Sequence, residues 1–311
     1  MRSLKSTIYE SLLDDEDVIV GDFARKQAHN EIDAFLRKNY EMPKKYSISN
    51  EMVNGKYVVD CAGDVEIKKD IVNLTDKLFV FGVVGGDFIC DHCKTLKTLE
   101  GAPEKVGRNF DCSNCDSLVS LEGAPKKVGD SFSCYGCKSL KTLKGSPKKI
   151  TGDFGCGGCV SLTTLEGGPE YVGENFSCVR NVKLTSLEGS PRYVGKTFAC
   201  GGCDSLTDLN GSPEHVGKTY NCNTCKSLKT LEGCTQRVGE HFACDSCKSL
   251  KTLKGSPQSI GGNFNCTVCR SLTSFEGITP QIPGVLYCDT ELMQKSNPRD
   301  YSNISGYIQG N

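Results

Sequence analysis

The residues in this chain with the most chemistry to offer are its cysteines. There are twenty, and sixteen of them form eight Cys-x-x-Cys pairs, from Cys90 and Cys93 to Cys266 and Cys269. Thiolates at that spacing can fill two corners of a zinc tetrahedron, so two neighbouring pairs could supply four sulfurs. If the pairs stack, disulfides are a second possibility. Three features turn the reading toward structure instead. The first cysteine of each pair alternates with a Phe, as in Phe110-Asp111-Cys112. On a strand those two share one packed face, where a thiol behaves as a small hydrophobe. One second cysteine is replaced by Asn181, which like Cys can hydrogen-bond the backbone of a turn. Finally, every unit carries the motif, whereas metal sites are few in one protein. The expectation is therefore structural thiols with no metal and no cofactor. Cys234, standing where other units have a small residue before Pro, is expected to be a filler too, and Cys61, outside the series, is expected in the cap.

What must position these thiols is a repeat. Cys90, Cys112, Cys134, Cys156, Cys178, Cys200, Cys222, Cys244, Cys266 and Cys288 are each 22 residues apart, and the Phe and Leu columns keep step. The unit reads G-x-F-x-C-x-x-C-x-S-L-x-T-L-x-G-x-P-x-x-V. A period of this size marks a solenoid, because one unit cannot bury its own apolar residues and must stack on its neighbours. The F-x-C segments predict one parallel sheet of about ten short strands, roughly 45–50 Å long at 4.8 Å per rung. Gly-x-Pro marks the return bend. The return side is too short for a helix and should be turns, 3₁₀ or extended chain.

The pattern resembles the leucine-rich repeat, L-x-x-L-x-L-x-x-N/C-x-L. Phe110 and Cys112 fall on strand Leu positions and Cys115 on the Asn/Cys position. Segments such as Cys115-Asp116-Ser117-Leu118-Val119-Ser120-Leu121 are similar to BspA-type bacterial repeats and to short cysteine-rich repeats of phage and gut-bacterial proteins. The likeness covers residues 84–288 and departs from the consensus by one residue between the N/C position and the next Leu. It implies a mainly β solenoid that serves as a protein-binding scaffold, and it carries no catalytic residues.

The ends differ. Residues 57–83 look like a capping rung, with Val65 and Ile67 in place of F-x-C. Residues 1–56 predict a small α+β cap. It comprises a helix with apolar residues Leu4, Ile8, Leu12 and Leu13, an acidic break, a second helix with Ala28, Ile32, Phe35 and Leu36, and a hairpin at Asn54-Gly55. The opening helix covers the solenoid end or docks a partner. Residues 289–311 are polar and predict a loose arm or partial cap.

Charge and remaining motifs narrow the function. Among 311 residues, 37 Lys and Arg face 38 Asp and Glu, a net charge of −1, which argues against nucleic-acid binding as the main task. No run approaches a membrane span. Asp14–Asp17 is acidic where a signal peptide would be apolar. A cytoplasmic location is expected, the host cytoplasm if the chain is phage-encoded. His29, His92, His215 and His241 sit in different registers, and no phosphate loop or nucleophile elbow occurs, so no enzyme activity is expected. Binding is expected on the outward strand positions, with His92, Tyr135, Val179, Arg180, Asn223 and Asp245 as candidates and an unidentified protein as partner. A lysine ladder, Lys94 and Lys97, Lys138 and Lys141, Lys226 and Lys229, Lys248 and Lys251, offers nucleic-acid binding as an alternative, tempered by a neighbouring column of Glu100, Glu122, Glu166, Glu188, Glu232 and Glu276. A virion or surface structural role is a further alternative.

Overall fold

The structure is a computed structural model that describes residues 4–68, 70–296 and 308–310. Each 22-residue unit makes one coil with two short strands on opposite sides. The Phe-x strands stack in parallel and in register, Phe88 on Phe110, Phe110 on Phe132 and so on to Phe264 on Leu286. Ten of them form the centre of a 13-stranded sheet. The chain is thus a mainly β parallel solenoid of about ten coils, the expected fold class.

Period and core explain each other. Phe, both cysteines, both leucines and the closing Val of the repeat are all buried. The phenyl rings form a column, with centroids 5.1–5.8 Å apart from Phe88 to Phe176. Tyr220 takes a Phe position, and its buried hydroxyl is 2.8 Å from Ser212 Oγ, which in turn donates to the Leu209 carbonyl. The polar atom is therefore not stranded in the core.

The return side is more regular than expected. Its Lys-Val type segments are strands, forming a five-stranded sheet that includes Lys105–Val106 and Lys127–Val128 and a six-stranded sheet from Lys149–Ile150 to Ser259–Ile260. Glycine after the Val makes this stacking possible. A Cβ on Gly217 would come within 2.0 Å of the Gly195 carbonyl oxygen. Thr151 stands in this glycine column, and the two return sheets part between Lys127–Val128 and Lys149–Ile150, the strands on either side of that coil boundary. Its hydroxyl donates to the Gly129 carbonyl at 2.7 Å, the kind of carbonyl that a glycine packs against elsewhere.

At the N-terminus the two expected helices are one, α1 (Leu4–Asn39). The acidic run contains neither Pro nor Gly, and charged residues alone do not end a helix. The first turns, proposed as a docking peptide, have side chains outside the described residues. Ile32 and Leu36 bury against the solenoid, whereas Phe35 is partly exposed. Then follow β1 (Tyr40–Glu41), the hairpin β2 (Tyr46–Val53) and β3 (Lys56–Cys61), β4 (Val65–Ile67) and β5 (Phe79–Val84). Asn54 and Gly55 both have positive φ, 53° and 74°, as the tight hairpin turn requires. Val65 pairs with Phe88, and β1 adds an antiparallel edge strand to β4, so the two begin the main sheet; the β2–β3 hairpin begins the return sheet through the pairing of β3 with β5. Tyr40, Phe81 and Phe88 lead the aromatic column out of the cap, with centroids 5.3 and 5.5 Å apart. At the other end, the polar tail supplies α2 (Thr290–Lys295), and Ile308–Gly310 adds one more strand beside Leu286–Cys288.

Candidate interaction surfaces

The second cysteine of each pair forms a ladder in the core. Cys115 Sγ donates to the Cys90 carbonyl at 3.1 Å, and Cys137, Cys159, Cys203, Cys225, Cys247 and Cys269 repeat the contact at 3.1–3.3 Å. Asn181 performs the same task with an amide, donating to the Cys156 carbonyl at 3.1 Å and accepting from the Cys159 N–H at 2.8 Å. All twenty thiols are free and buried. Burial pushes Cys61, Cys93 and Cys112 up to about 12 and Cys288 up to about 11. These thiols are neutral at physiological pH and poor nucleophiles. Among the described residues, no group of three or more His, Cys, Asp or Glu is arranged to hold a metal ion.

On the outer face the third residue of each C-x-x-C turn is left-handed. His92 and Arg180 have φ of 55° and 60°, as do glycines at the same register in other coils. Val268 adopts φ 59° there, which costs a β-branched residue about 1–2 kcal/mol. Five of the six expected binding residues lie within a run of coils, with Tyr135, Val179, Asn223 and Asp245 in one column interrupted by Gly157 and Gly201. Neighbouring side chains reach over both interruptions, from both sides at Gly157 and from Asn223 at Gly201. A Cβ on Gly157 would lie 3.2 Å from the Tyr135 ring and 3.0 Å from Val179 Cγ2. One on Gly201 would meet Asn223 Oδ1, and one on Gly202 would lie 3.3 Å from Arg180 Cγ. Tyr135 and Val179 thus meet over Gly157, with Arg180 next to Val179 in the same turn. Tyr135 is 43% exposed, and burial raises the Asp245 carboxyl above its ordinary range. His92 lies two coils before Tyr135 and pairs with Asp91 at 2.8 Å.

The lysine ladder is interrupted. Asp116 stands between Lys94 and Lys138 and pairs with Lys138 at 3.1 Å, while Asp204 pairs with Lys226 at 2.7 Å. Lys97 and Lys141 are separated by Val119. Only Lys226 and Lys248, with Lys229 and Lys251 beside them, are stacked on adjacent coils. In the acidic column Glu122 pairs with Lys144 at 2.8 Å.

Two surface features went unread in the sequence. At one corner, side chains accept the backbone N–H of the next coil: Asp87 from Asn109, Asn109 from Ser131, Asp153 from Asn175 and His241 from Asn263, at 2.9–3.1 Å. On the return face, Lys105, Lys127, Lys149, Tyr171, Tyr193, His215 and Arg237 occupy one register. The Tyr171, Tyr193 and His215 rings stack at 4.8 Å, tilted by 2° and 7°, and Lys149 Nζ lies 5.1 Å over Tyr171. The signal was the residue before each closing Val, which has no consensus letter but is cationic or aromatic seven times running.

No family model and no curated protein matches the sequence. Among solved structures, a leucine-rich repeat protein from Bacteroides ovatus is similar over 86% of this chain and 99% of its own, with 15% identity and a TM-score of 0.27. A likeness of that size carries no argument, and the fold rests on the strand register described above. No helix among the described residues is long and apolar enough to cross a membrane.

Proposed function

We propose that this chain is a non-enzymatic scaffold that binds another protein through the outer strand-and-turn face of its solenoid, with no cofactor. One observation carries the reading: the chemistry-bearing thiols are spent on the core, while Tyr135 and Val179 meet over Gly157 on the outer face with Arg180 beside them, a surface cluster in which Tyr135 is 43% exposed. A partly exposed aromatic and an Arg are the side chains that most often anchor protein contacts. The likeness of the repeats to those of phage and gut-bacterial proteins extends the proposal to a phage-encoded factor acting on host machinery in the cytoplasm.

The test is capture from a bacterial lysate by the immobilised full chain, repeated with Tyr135→Ala and Arg180→Glu. A partner retained by the wild type and lost by both variants, with their thermal unfolding unchanged, supports the reading. Retention of nothing at micromolar concentration, or of the same proteins by the variants, contradicts it.

A further inference from the structure

We propose that the return face carries a second docking site, built for an extended acidic segment of a partner protein that places an apolar side chain between its carboxylates. The site lies where the two return sheets part. There a groove of about 610 Å³ opens, with Ala124, Val128 and Pro147 among its lining and lysines at its rim. An apolar floor under a cationic rim suits an acidic sequence interrupted by a hydrophobic residue, and suits a uniformly charged one less well.

Two of the four lysines at the rim, Lys127 and Lys149, are without a carboxylate partner among the described residues. The outermost lysines are already neutralised, Lys126 by Glu104 at 3.4 Å and Lys148 by Glu170 at 3.3 Å. Among the described residues, Lys127 has no carboxylate within ion-pair distance, nor do Lys105 and Arg237 in the same register, and Lys149 rests on the Tyr171 ring. Stacking like charges one coil apart is a cost that an anionic ligand would relieve. Beyond the groove, the stacked rings of Tyr171, Tyr193 and His215 continue the track to Arg237. From Lys105 to Arg237 is six coil steps, about 29 Å, which an extended chain of about nine residues would span.

The aromatic part of the track discriminates between ligand classes. Single-stranded nucleic acid is held by bases stacking on free ring faces. Here the faces of Tyr171 and Tyr193 cover each other at 4.8 Å, so the track presents ring edges and hydroxyl groups. Those suit side chains and backbone carbonyls of a peptide.

This inference rests on the scaffold reading but on a different face, so each can fail alone. The experiment is fluorescence anisotropy of the full-length chain with a labelled nonapeptide of three Glu, then Phe-Tyr-Phe, then three Glu. An oligo-dT of matching length serves as the second probe. The expected result is saturable peptide binding that weakens about tenfold or more in Lys127→Glu/Lys149→Glu. Lys127→Ala/Lys149→Ala should weaken it in the same direction, and Tyr135→Ala/Arg180→Glu should leave it unchanged. No peptide binding at about 0.1 mM, equal binding by the lysine variants, or tighter binding of oligo-dT through the same lysines would overturn the proposal.

Discussion

At position 181 an amide does the work that a thiol does in the coils on either side. Asn181 satisfies one carbonyl and one N–H in a fully buried turn. Asn181→Cys should therefore change stability by less than about 1 kcal/mol, whereas Asn181→Ala strands both groups and should cost about 2–4 kcal/mol, as read by denaturant unfolding. The same chemistry sets a pH response. Cys90, Cys156, Cys222 and Cys266 are driven well above the ordinary thiol range, chiefly by burial. A group whose folded pKa is raised contributes nothing adverse below the unfolded value near 9, and stability is lost as pH climbs through and beyond it. Unfolding free energy should be flat from pH 6 to about 8 and fall steeply above about 9; a curve still level at pH 10.5 would show that the thiols ionise in place. The equivalence of Asn and Cys was legible because Asn181 takes one place in a column that is otherwise Cys from Cys93 to Cys269. The corner ladder was not, because Asp87, Asn109, Ser131 and His241 each accept a backbone N–H with a different kind of group and share no residue type.

Elements were legible where the period constrained them and obscure where it lapsed. Phe, Cys, Leu and Val recur in fixed register, so their strands and burial followed directly. The return strands did not, since two-residue strands with one buried Val carry no alternation to read. The glycine after that Val held the missing information. It permits carbonyl-to-glycine contact between coils, and Thr151 marks the one place among coils 107–261 where the column is not glycine. Thr151→Gly should join the two return sheets; the lost hydroxyl bond and the added freedom of glycine in the unfolded chain offset the new backbone pairing, so stability should change by no more than about 1 kcal/mol. Gly217→Ala should cost about 1–3 kcal/mol, because its Cβ would press on a neighbouring backbone that cannot give way. Hydrogen exchange across residues 127–151 reads the first change and thermal unfolding the second. The single α1 was misread for a related reason: without Pro or a capping Gly, an acidic run looks like a boundary only if charge is mistaken for a stop signal.

For the whole molecule, repetition divides the chain into an interior that is nearly the same in every coil and a surface that differs in each. Inside, sulfur and phenyl columns make one continuous core with nearest-neighbour cohesion. Outside, the Tyr135 patch and the return-face stripe are local departures from the repeat, and departures of that kind are poorly visible to a reading built on period. The lysine ladder shows the converse error: equal register suggested a continuous basic strip, but Asp116, Val160, Val182 and Asp204 interrupt it and leave only Lys226 and Lys248, with Lys229 and Lys251, on adjacent coils. The division of labour between core and surface stands or falls on the state of the sulfur atoms. Its most direct test counts thiols in the native and the guanidinium-unfolded protein, alongside elemental analysis for zinc. The expected result is essentially no thiol reacting within minutes at pH 8 in the native state, all twenty reacting once unfolded, and zinc well below one equivalent. Stoichiometric zinc, or several thiols modified at once in the folded chain, would contradict it.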